Sequence, residues 1–528
     1  MNMRVRFAPS PTGKIHIGNI RTAIFNWLFA RHNNGAFLLR IEDTDLERST
    51  IEAKEALFDC MQWLGLDYDE EVFYQSSRAD SHLEAAKKLL DSGDAYYLPA
   101  NEGKNAPLAF RIPWGADDLP FVRTVGETEV QVHPDVPFTV GRSGVKYAQI
   151  SKKGKPVETA ACLAGYKDLK IFDESGTCVF ELSKEIGETL SGEKSFSFEK
   201  CSKISFTRRE VFYKDLIKGE LSKPLDSMKD LIILRGDGSP VFHLANVCDD
   251  AEQKITHIVR GDDHVENTYR HVLLFAALGH KAPEYAHLPM IVNQSGKPYS
   301  KRDGDAFVGD FREKGFLGDA LFNYLSLLGW SPGDDREKMS KQELIEAFTL
   351  ERVRSAPSQF DINKFKNLNG QYIAEMNAEA FMEAALNAAK KIEWAAGADS
   401  CLFEKVCALM QPRAKVLADV ETWKYFFSDE MEYDEKVLCK TLKKDEIKEG
   451  LKAFSSQLEN FDSISKELLE KTLRHAEEVC GLSEGQLNKP ARLAVTAASG
   501  GADILDTLSL IGKEKITERI SKALSLLS

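Results

Sequence analysis

Apolar and polar positions change their period several times along this chain, and each change marks an expected element. Arg4–Phe7 reads as a short strand, and Pro9, Pro11 and Gly13 then break the chain into a loop. Over residues 20–31 the apolar side chains Ala23, Ile24, Trp27, Leu28 and Ala30 fall at helical spacing. A turn at Gly35 leads into a second strand, Ala36–Ile41. Strand, loop, helix, strand predicts the βαβ opening of a doubly wound α/β domain, a fold that binds ligands where strands end and helices begin. Between about residues 116 and 204 the texture turns β-rich, with strand-like stretches at 129–132, 145–150 and 178–182 and turn signals at 141–144 and 152–155. From residue 341 onward the pattern is mostly helical. Long periodic segments run over 378–392, 445–457 and 463–481, and 503–527 reads as two helices broken at Gly512. An α/β front and an all-helical back predict separate domains.

Composition narrows the class. A chain of 528 residues is long enough for roughly three to four domains. No apolar run approaches the ~20 residues needed to span a bilayer, and the first residues carry no apolar stretch of the kind a secretory signal needs. The nine cysteines are scattered and odd in number, which predicts reduced cytosolic thiols, not a disulfide framework or a zinc knuckle. A net charge of -13 argues against indiscriminate nucleic-acid binding but leaves room for a local basic face that docks one RNA.

The first chemical signal is the string from Arg6 to Asn19, Arg-Phe-Ala-Pro-Ser-Pro-Thr-Gly-Lys-Ile-His-Ile-Gly-Asn. It lies between the first strand and the first helix, where free N–H groups and the positive end of the helix dipole suit a phosphate. His16 can donate to a phosphate oxygen, and Gly18 lets a flat base approach the backbone. Taken singly, a histidine near a helix start is usually structural and a proline-rich turn is usually only a turn. The whole string resembles the "HIGH" signature of class I aminoacyl-tRNA synthetases, and with Pro9-Ser10-Pro11-Thr12-Gly13 before it, the glutamyl branch, bacterial type. Arg40-Ile41-Glu42-Asp43-Thr44-Asp45 is similar to that branch too, while Asn19 replaces the fourth signature histidine.

The same family carries a "KMSKS" loop whose lysines neutralise the splitting triphosphate. Lys338-Met339-Ser340-Lys341-Gln342 matches the letters better, yet Ser340 and Glu343 have capping-box spacing ahead of an apolar run and predict an ordinary helix start. The segment from Gly296 to Gly304, following His287-Leu288-Pro289-Met290-Ile291, is the one that resembles the loop. Pro298 stands at the family's first lysine, which leaves Lys301, with Lys297 one position early.

What the resemblance implies can be stated residue by residue. Arginine suits bidentate carboxylate recognition, and the glutamate contacts fall on Arg6, Ser10, Glu42, Phe242, Asn246 and Arg260, with Glu42 the partner of the ammonium group. Phe242 stands where the family usually has tyrosine and removes a hydroxyl. The ATP contacts fall on Thr12, His16, Gly18, Asn19, Asp263, Met290, Ile291, Ser300, Lys301 and Arg302. His16 and Lys301 are the catalytic pair. The implied reaction is ATP- and Mg²⁺-dependent attachment of L-glutamate to tRNA(Glu) through an adenylate, with tRNA(Gln) left open as a second acceptor.

The implied architecture is a Rossmann-like catalytic domain over 1–82 and 240–325, interrupted by an acceptor-arm domain over 83–239 that holds the β-rich insert at about 116–204. A stem-contact helical region at 326–375 and a helical anticodon-binding region at 376–528 follow. Relatives often carry a cysteine-rich zinc site after the Ala95-Tyr96-Tyr97 stretch. Here Leu98-Pro99-Ala100 follows, so neither a structural zinc nor any other protein-bound metal is expected. Lys489 and Arg492 are candidates for RNA phosphates or for a helix surface. A cytoplasmic monomer is expected. The rivals are a nucleotidyltransferase that acts without RNA, a non-catalytic paralogue and a shortened relative that glutamylates a tRNA base; the long helical back fits the first and third poorly. The intact His16, Gly18, Glu42, Arg260 and Lys301 count against the second.

Overall fold

A computed structural model describes residues 2–11, 13–44, 49–100, 105–304, 306–390 and 392–527, with Lys301 described by its backbone alone. The chain divides into two compact units, Met1–Val308 with Leu325–Phe360, and Gly309–Tyr324 with Asp361–Ser528.

The first unit begins with strand β1 (Arg4–Phe7), helix α1 (Ile17–His32) and strand β2 (Ala36–Ile41). Helix α1 is apolar on nearly every face, as a helix enclosed on all sides must be. Its one buried amide, Asn26, donates through Nδ2 to the carbonyls of Thr22 and Val259 at 2.8 and 2.9 Å. After helix α2 (Ile51–Leu64), the short strand β3 (Phe73–Tyr74) extends the sheet in the parallel order β1-β2-β3.

Helix α3 (Ala79–Asp91) leads to the small strands β4 (Ala95–Tyr97) and β5 (Leu108–Phe110). The β-rich stretch then contains β6 (Val122–Gln131), β7 (Phe138–Gly141), β8 (Gly144–Ile150), β9 (Pro156–Ala161), β10 (Lys167–Asp173), β11 (Cys178–Glu181), helix α4 (Leu182–Ser191) and β12 (Phe196–Phe198). It packs around a core of its own that includes Phe138, Tyr147, Tyr166, Ile171 and Phe206. The 15-residue strand β13 (Cys201–Asp215) is its spine, paired antiparallel with β6, β10 and β14 (Gly219–Pro224). Strand β15 (Leu231–Leu234) closes a small sheet with β5 and β4.

Helix α5 (Phe242–Glu252), strand β16 (His257–Gly261), helix α6 (Val265–Ala277) and strand β17 (Glu284–Leu288) complete the nucleotide half. Strands β16 and β17 run parallel, and Asp215 at the end of β13 pairs with Tyr285 of β17. The long strand therefore joins the β-rich stretch to the central sheet. Between β1 and β16, Thr256 bridges the two edges: its N–H donates to Arg4 O at 2.9 Å and its hydroxyl accepts from Arg4 N at 2.8 Å. Chain order reverses across β1, with β2 on one side and β16 on the other. That is the switch point at which open α/β sheets hold ligands, outside the carboxyl ends of their strands.

The second unit is helical, with a core that includes Phe381, Phe403, Trp423, Leu451, Phe454 and Leu473. Its predicted helices appear as Ala378–Ala389, Asp445–Glu459 and Lys466–Val479, and Gly512 separates Ile504–Ile511 from Lys513–Ser525. Arg519, buried in this unit, donates to the carbonyls of Tyr425, Val495 and Ser428 at 2.8 to 3.1 Å. Its charge is thus spread over helix-end carbonyls that would otherwise be orphaned. No helix among the described residues is long and apolar enough to cross a membrane.

Candidate active site

A cavity of about 640 Å³ opens at the switch point, over the carboxyl ends of β1, β2, β16 and β17. Its wall includes Arg6, Ser10, Glu42, Phe242, Asn246 and Arg260, six residues that the sequence scatters over 250 positions. His16, Gly18, Asn19, Asp263, Met290 and Ile291 line the same space. Thr12 lies outside the described residues, as does the Lys301 side chain.

His16 caps the N-terminus of α1. Its Nδ1 accepts the Gly18 N–H at 3.1 Å, so the ring proton sits on Nε2, the nitrogen that donates. Burial lowers its pKa, and a hydrogen bond with the Tyr299 backbone partly offsets that. A Cβ at position 18 would lie 3.2 Å from His16 Nδ1, close enough that the ring would have to give by a few tenths of an ångström. Antiparallel bridging of His16 with Phe307 fastens the loop, supported by Ile17 N–H to Ala306 O at 2.9 Å.

The two pocket arginines are not equivalent. Arg6 Nε donates to Asp250 at 2.9 Å, and both groups are buried. Arg40, fully buried beside it, bonds Asp250 at 2.6 Å and Glu42 at 3.3 Å. Burial pushes the Asp250 carboxyl up, but Arg40 and Arg6 outweigh it and hold the group below the usual range. Glu42 goes the other way: burial raises its pKa and the two arginines only partly offset the rise. Its Oε1 accepts from Arg40 and, at 2.9 Å, from Asn246 Nδ2, while Oε2 has no donor among the described residues. A buried carboxylate short of donors suits an incoming ammonium group.

Arg260 is 6% exposed and has no carboxylate within ion-pair distance among the described residues. Neutral groups hold it instead, with Nε donating to His287 Nε2 at 3.3 Å and Nη2 to Thr268 Oγ1 at 2.7 Å. Burial lowers its pKa to about 10. An ionised buried guanidinium without a counterion is costly in isolation. Placed in an open cavity, it suits an anionic ligand. Phe242 presents only a ring, stacked at 5.7 Å on His264 and 5.5 Å from His243.

Sequence reasoning missed Asp250, Arg40, His287 and Asp215. Asp250 was legible in principle, since it follows Asn246 by four positions and so shares its helical face. His287 and Asp215 carried no local signal, because they meet only through the pairing of β13 with β17.

The loop over 293–303 is a built turn. Asn293 Nδ2 donates to Asp303 at 2.6 Å, and Asp303 accepts from both N and Oγ of Ser300 at 2.9 Å. Pro298 and Tyr299 border the cavity, whereas Arg302 is exposed to solvent. At the other lysine string, Ser340 caps Lys341–Ala347: its Oγ accepts from Glu343 N at 3.3 Å and Glu343 accepts from Ser340 N at 2.8 Å. That string is the helix start its capping spacing predicts. Ser340→Ala is therefore expected to cost about 1 kcal/mol in chemical denaturation and to leave the KM for ATP unchanged. A rise in that KM would return the segment to the triphosphate. In the helical unit, Arg492 donates to Ala502 O at 2.5 Å, whereas Lys489 is exposed.

Comparison with known proteins agrees with this geometry. The family described as tRNA synthetases class I (E and Q), catalytic domain, matches residues 2–103 and 190–367, and an anticodon binding domain matches 375–524. A glutamate–tRNA ligase of Francisella philomiragia is 35% identical, with 98% of each chain covered. Glutamate–tRNA ligase 1 of Caldanaerobacter subterraneus is 33% identical over 99% of this chain and 98% of its own. Among solved structures, a glutamate tRNA ligase from Elizabethkingia meningosepticum in complex with its amino acid is similar at a TM-score of 0.70 and 28% identity, over the full length of both chains. With a switch-point cavity, a histidine-capped phosphate loop and likeness along the whole chain, this protein belongs to the class I tRNA synthetases of the glutamate and glutamine branch.

Proposed function

We infer that this chain attaches L-glutamate to tRNA at the expense of ATP. The observation that carries the choice of amino acid is Arg260, a buried guanidinium without a carboxylate of its own, in one cavity with the donor-poor carboxylate of Glu42. Glutamate brings two carboxylates and one ammonium group, and these two side chains complement one of each. Arg6, the second guanidinium lining the cavity, is left for the other carboxylate; glutamine would bring only one carboxylate to two arginines, so the arrangement favours glutamate.

The reaction runs in two displacements. The α-carboxylate of glutamate attacks the α-phosphorus of ATP, supplied as its Mg²⁺ complex, and the bond to the β-phosphate oxygen breaks to release pyrophosphate. A ribose hydroxyl of the 3'-terminal adenosine of tRNA(Glu) then attacks the carbonyl of the mixed anhydride. AMP leaves with the bonding electrons and the hydroxyl proton is lost to solvent. The enzyme contributes position and charge rather than a covalent intermediate. His16 Nε2–H and the α1 N-terminus meet the phosphates, with Lys301 drawing the pyrophosphate charge and Ser300, Arg302, Asn19 and Asp263 bordering the nucleotide. Thr12 belongs to the same loop. Met290 and Ile291 flank the adenine, and Arg6, held by Asp250, supports the glutamate side.

We assign residues 1–82 and 240–325 to catalysis, 83–239 to the acceptor arm, 326–375 to the tRNA stem and 376–528 to the anticodon. The protein works as a cytoplasmic monomer without structural zinc, and tRNA(Gln) is a candidate second acceptor. Incubation with glutamate, ATP and tRNA(Glu) is expected to yield AMP and pyrophosphate in equal amounts. Formation of ADP and phosphate would instead indicate a kinase-type transfer.

A further inference from the structure

We propose that Asp215 and His287 are positioning residues that fix the proton pattern around Arg260 and so set the affinity for glutamate. This rests on Arg260 being a glutamate carboxylate anchor, and it gives a role to two residues outside the expected glutamate and ATP contacts.

The geometry leaves one arrangement of protons. Arg260 has only N–H donors, so His287 Nε2, 3.3 Å from Arg260 Nε, must accept. The His287 proton is then on Nδ1, which donates to Asp215 Oδ2 at 2.6 Å. Asp215 in turn is fixed by backbone N–H groups: Ile217 and Lys218 donate to Oδ1 at 2.9 and 2.8 Å, and His287 N donates to Oδ2 at 3.1 Å. Both side chains are buried, with Asp215 1% and His287 0% exposed. Burial pushes Asp215 up, but the bonds to His287 and to the backbone leave it below the usual carboxylate range. Thr268 completes the grip, accepting from Arg260 Nη2 at 2.7 Å and lying 3.1 Å from His287 Nε2. Two edges of the guanidinium are thereby occupied, and Nη1 has no protein acceptor among the described residues. The fork is aimed by neutral acceptors, so its full charge stays available to the ligand. A carboxylate in place of His287 would aim the fork equally well and cancel the charge.

The strand pairing explains how the dyad is held. Asp215 closes β13 and pairs with Tyr285 of β17, two residues before His287, while Arg260 faces His287 across β16 and β17. The aim of Arg260 is thus set by the sheet together with the turn that follows β13.

Asp215→Asn tests the tautomer. The amide oxygen stays with the Ile217 and Lys218 N–H groups, so its NH₂ faces His287 Nδ1. The ring proton is forced onto Nε2, donor against donor with Arg260 Nε. The KM for glutamate is expected to rise roughly 10- to 100-fold, with the KM for ATP within about 3-fold. His287→Asn keeps a donor to Asp215 and loses the acceptor, so it should show the same split. His287→Gln restores an acceptor at the Nε2 position and should recover most of the affinity. Nitrogen-15 NMR of histidine-labelled enzyme, with the His287→Gln protein identifying the resonance, should show Nε2 unprotonated in the native protein. Two results would overturn the proposal: a protonated Nε2, or Asn variants that lower thermal stability without moving the glutamate KM. If Arg260→Met also leaves that KM unchanged, the anchor itself is wrong. If Arg260→Met raises it and the Asn variants do not, only the relay is wrong. Should Asp215→Asn fail to fold, the His287 variants and the native spectrum still decide.

Discussion

Arg260→Met is expected to lower kcat/KM for glutamate by about 10²- to 10³-fold while leaving the folded protein as stable as before, or more so. The two effects have one cause. In the free enzyme Arg260 is a buried cation held by His287, Thr268 and a carbonyl, with no carboxylate within ion-pair distance among the described residues and only the more distant Asp250 to offset its desolvation in part. Replacing such a charge with an apolar side chain of similar length removes a cost from the folded state. In the complex proposed above the same charge would meet a ligand carboxylate. Removing one partner of a buried pair costs about 3 to 5 kcal/mol, and the stated loss is the lower part of that range at about 1.4 kcal/mol per tenfold. Arg6→Met should behave in the opposite way. Arg6 already has Asp250, so its loss unbalances a buried network, and stability falls along with activity. Thermal melts and steady-state kinetics of the two variants separate these cases. A destabilised Arg260→Met protein with unchanged glutamate kinetics would contradict the account.

The second large effect is expected at His16. Its Nδ1 is committed to the Gly18 N–H, which leaves Nε2–H as the ring's one donor at the cavity wall, to be drawn from the Tyr299 backbone to a phosphate when the nucleotide binds. A preorganised donor to developing phosphate charge typically contributes about 10²- to 10³-fold to kcat. His16→Ala should lose that factor in the aminoacylation rate, and the KM for glutamate should change little. His16→Gln, which can place an amide N–H near the Nε2 position, should recover part of it. An equal rise in the glutamate KM would instead mean that the histidine only holds the loop in shape.

How much of this was legible in the sequence depended on distance along the chain. Local patterns worked: β1, β2 and the Gly512 break fall where the periodicity put them, and the Ser340 capping box forms as its spacing required. Helix α4 inside the β-rich stretch was missed although Leu182, Ile186 and Leu190 fall at helical spacing, because the strand-like run of Cys178–Glu181 leads directly into it. Pocket residues were legible only where they lay in motifs. Arg6 and Arg260 looked alike in sequence, and nothing local could show that Asp250 engages one and leaves the other without a counterion. The Asp215–His287 pair is separated by 72 residues and joined by a parallel strand contact, which no periodicity encodes.

Charging of a total tRNA pool tests the central claim most directly. Labelled glutamate and labelled glutamine would be offered in parallel with ATP, and the acceptors sequenced. The account predicts a base-labile glutamyl ester on tRNA(Glu) and little or no ester with glutamine. A folded protein that binds tRNA and esterifies neither amino acid, or that prefers glutamine, would contradict it.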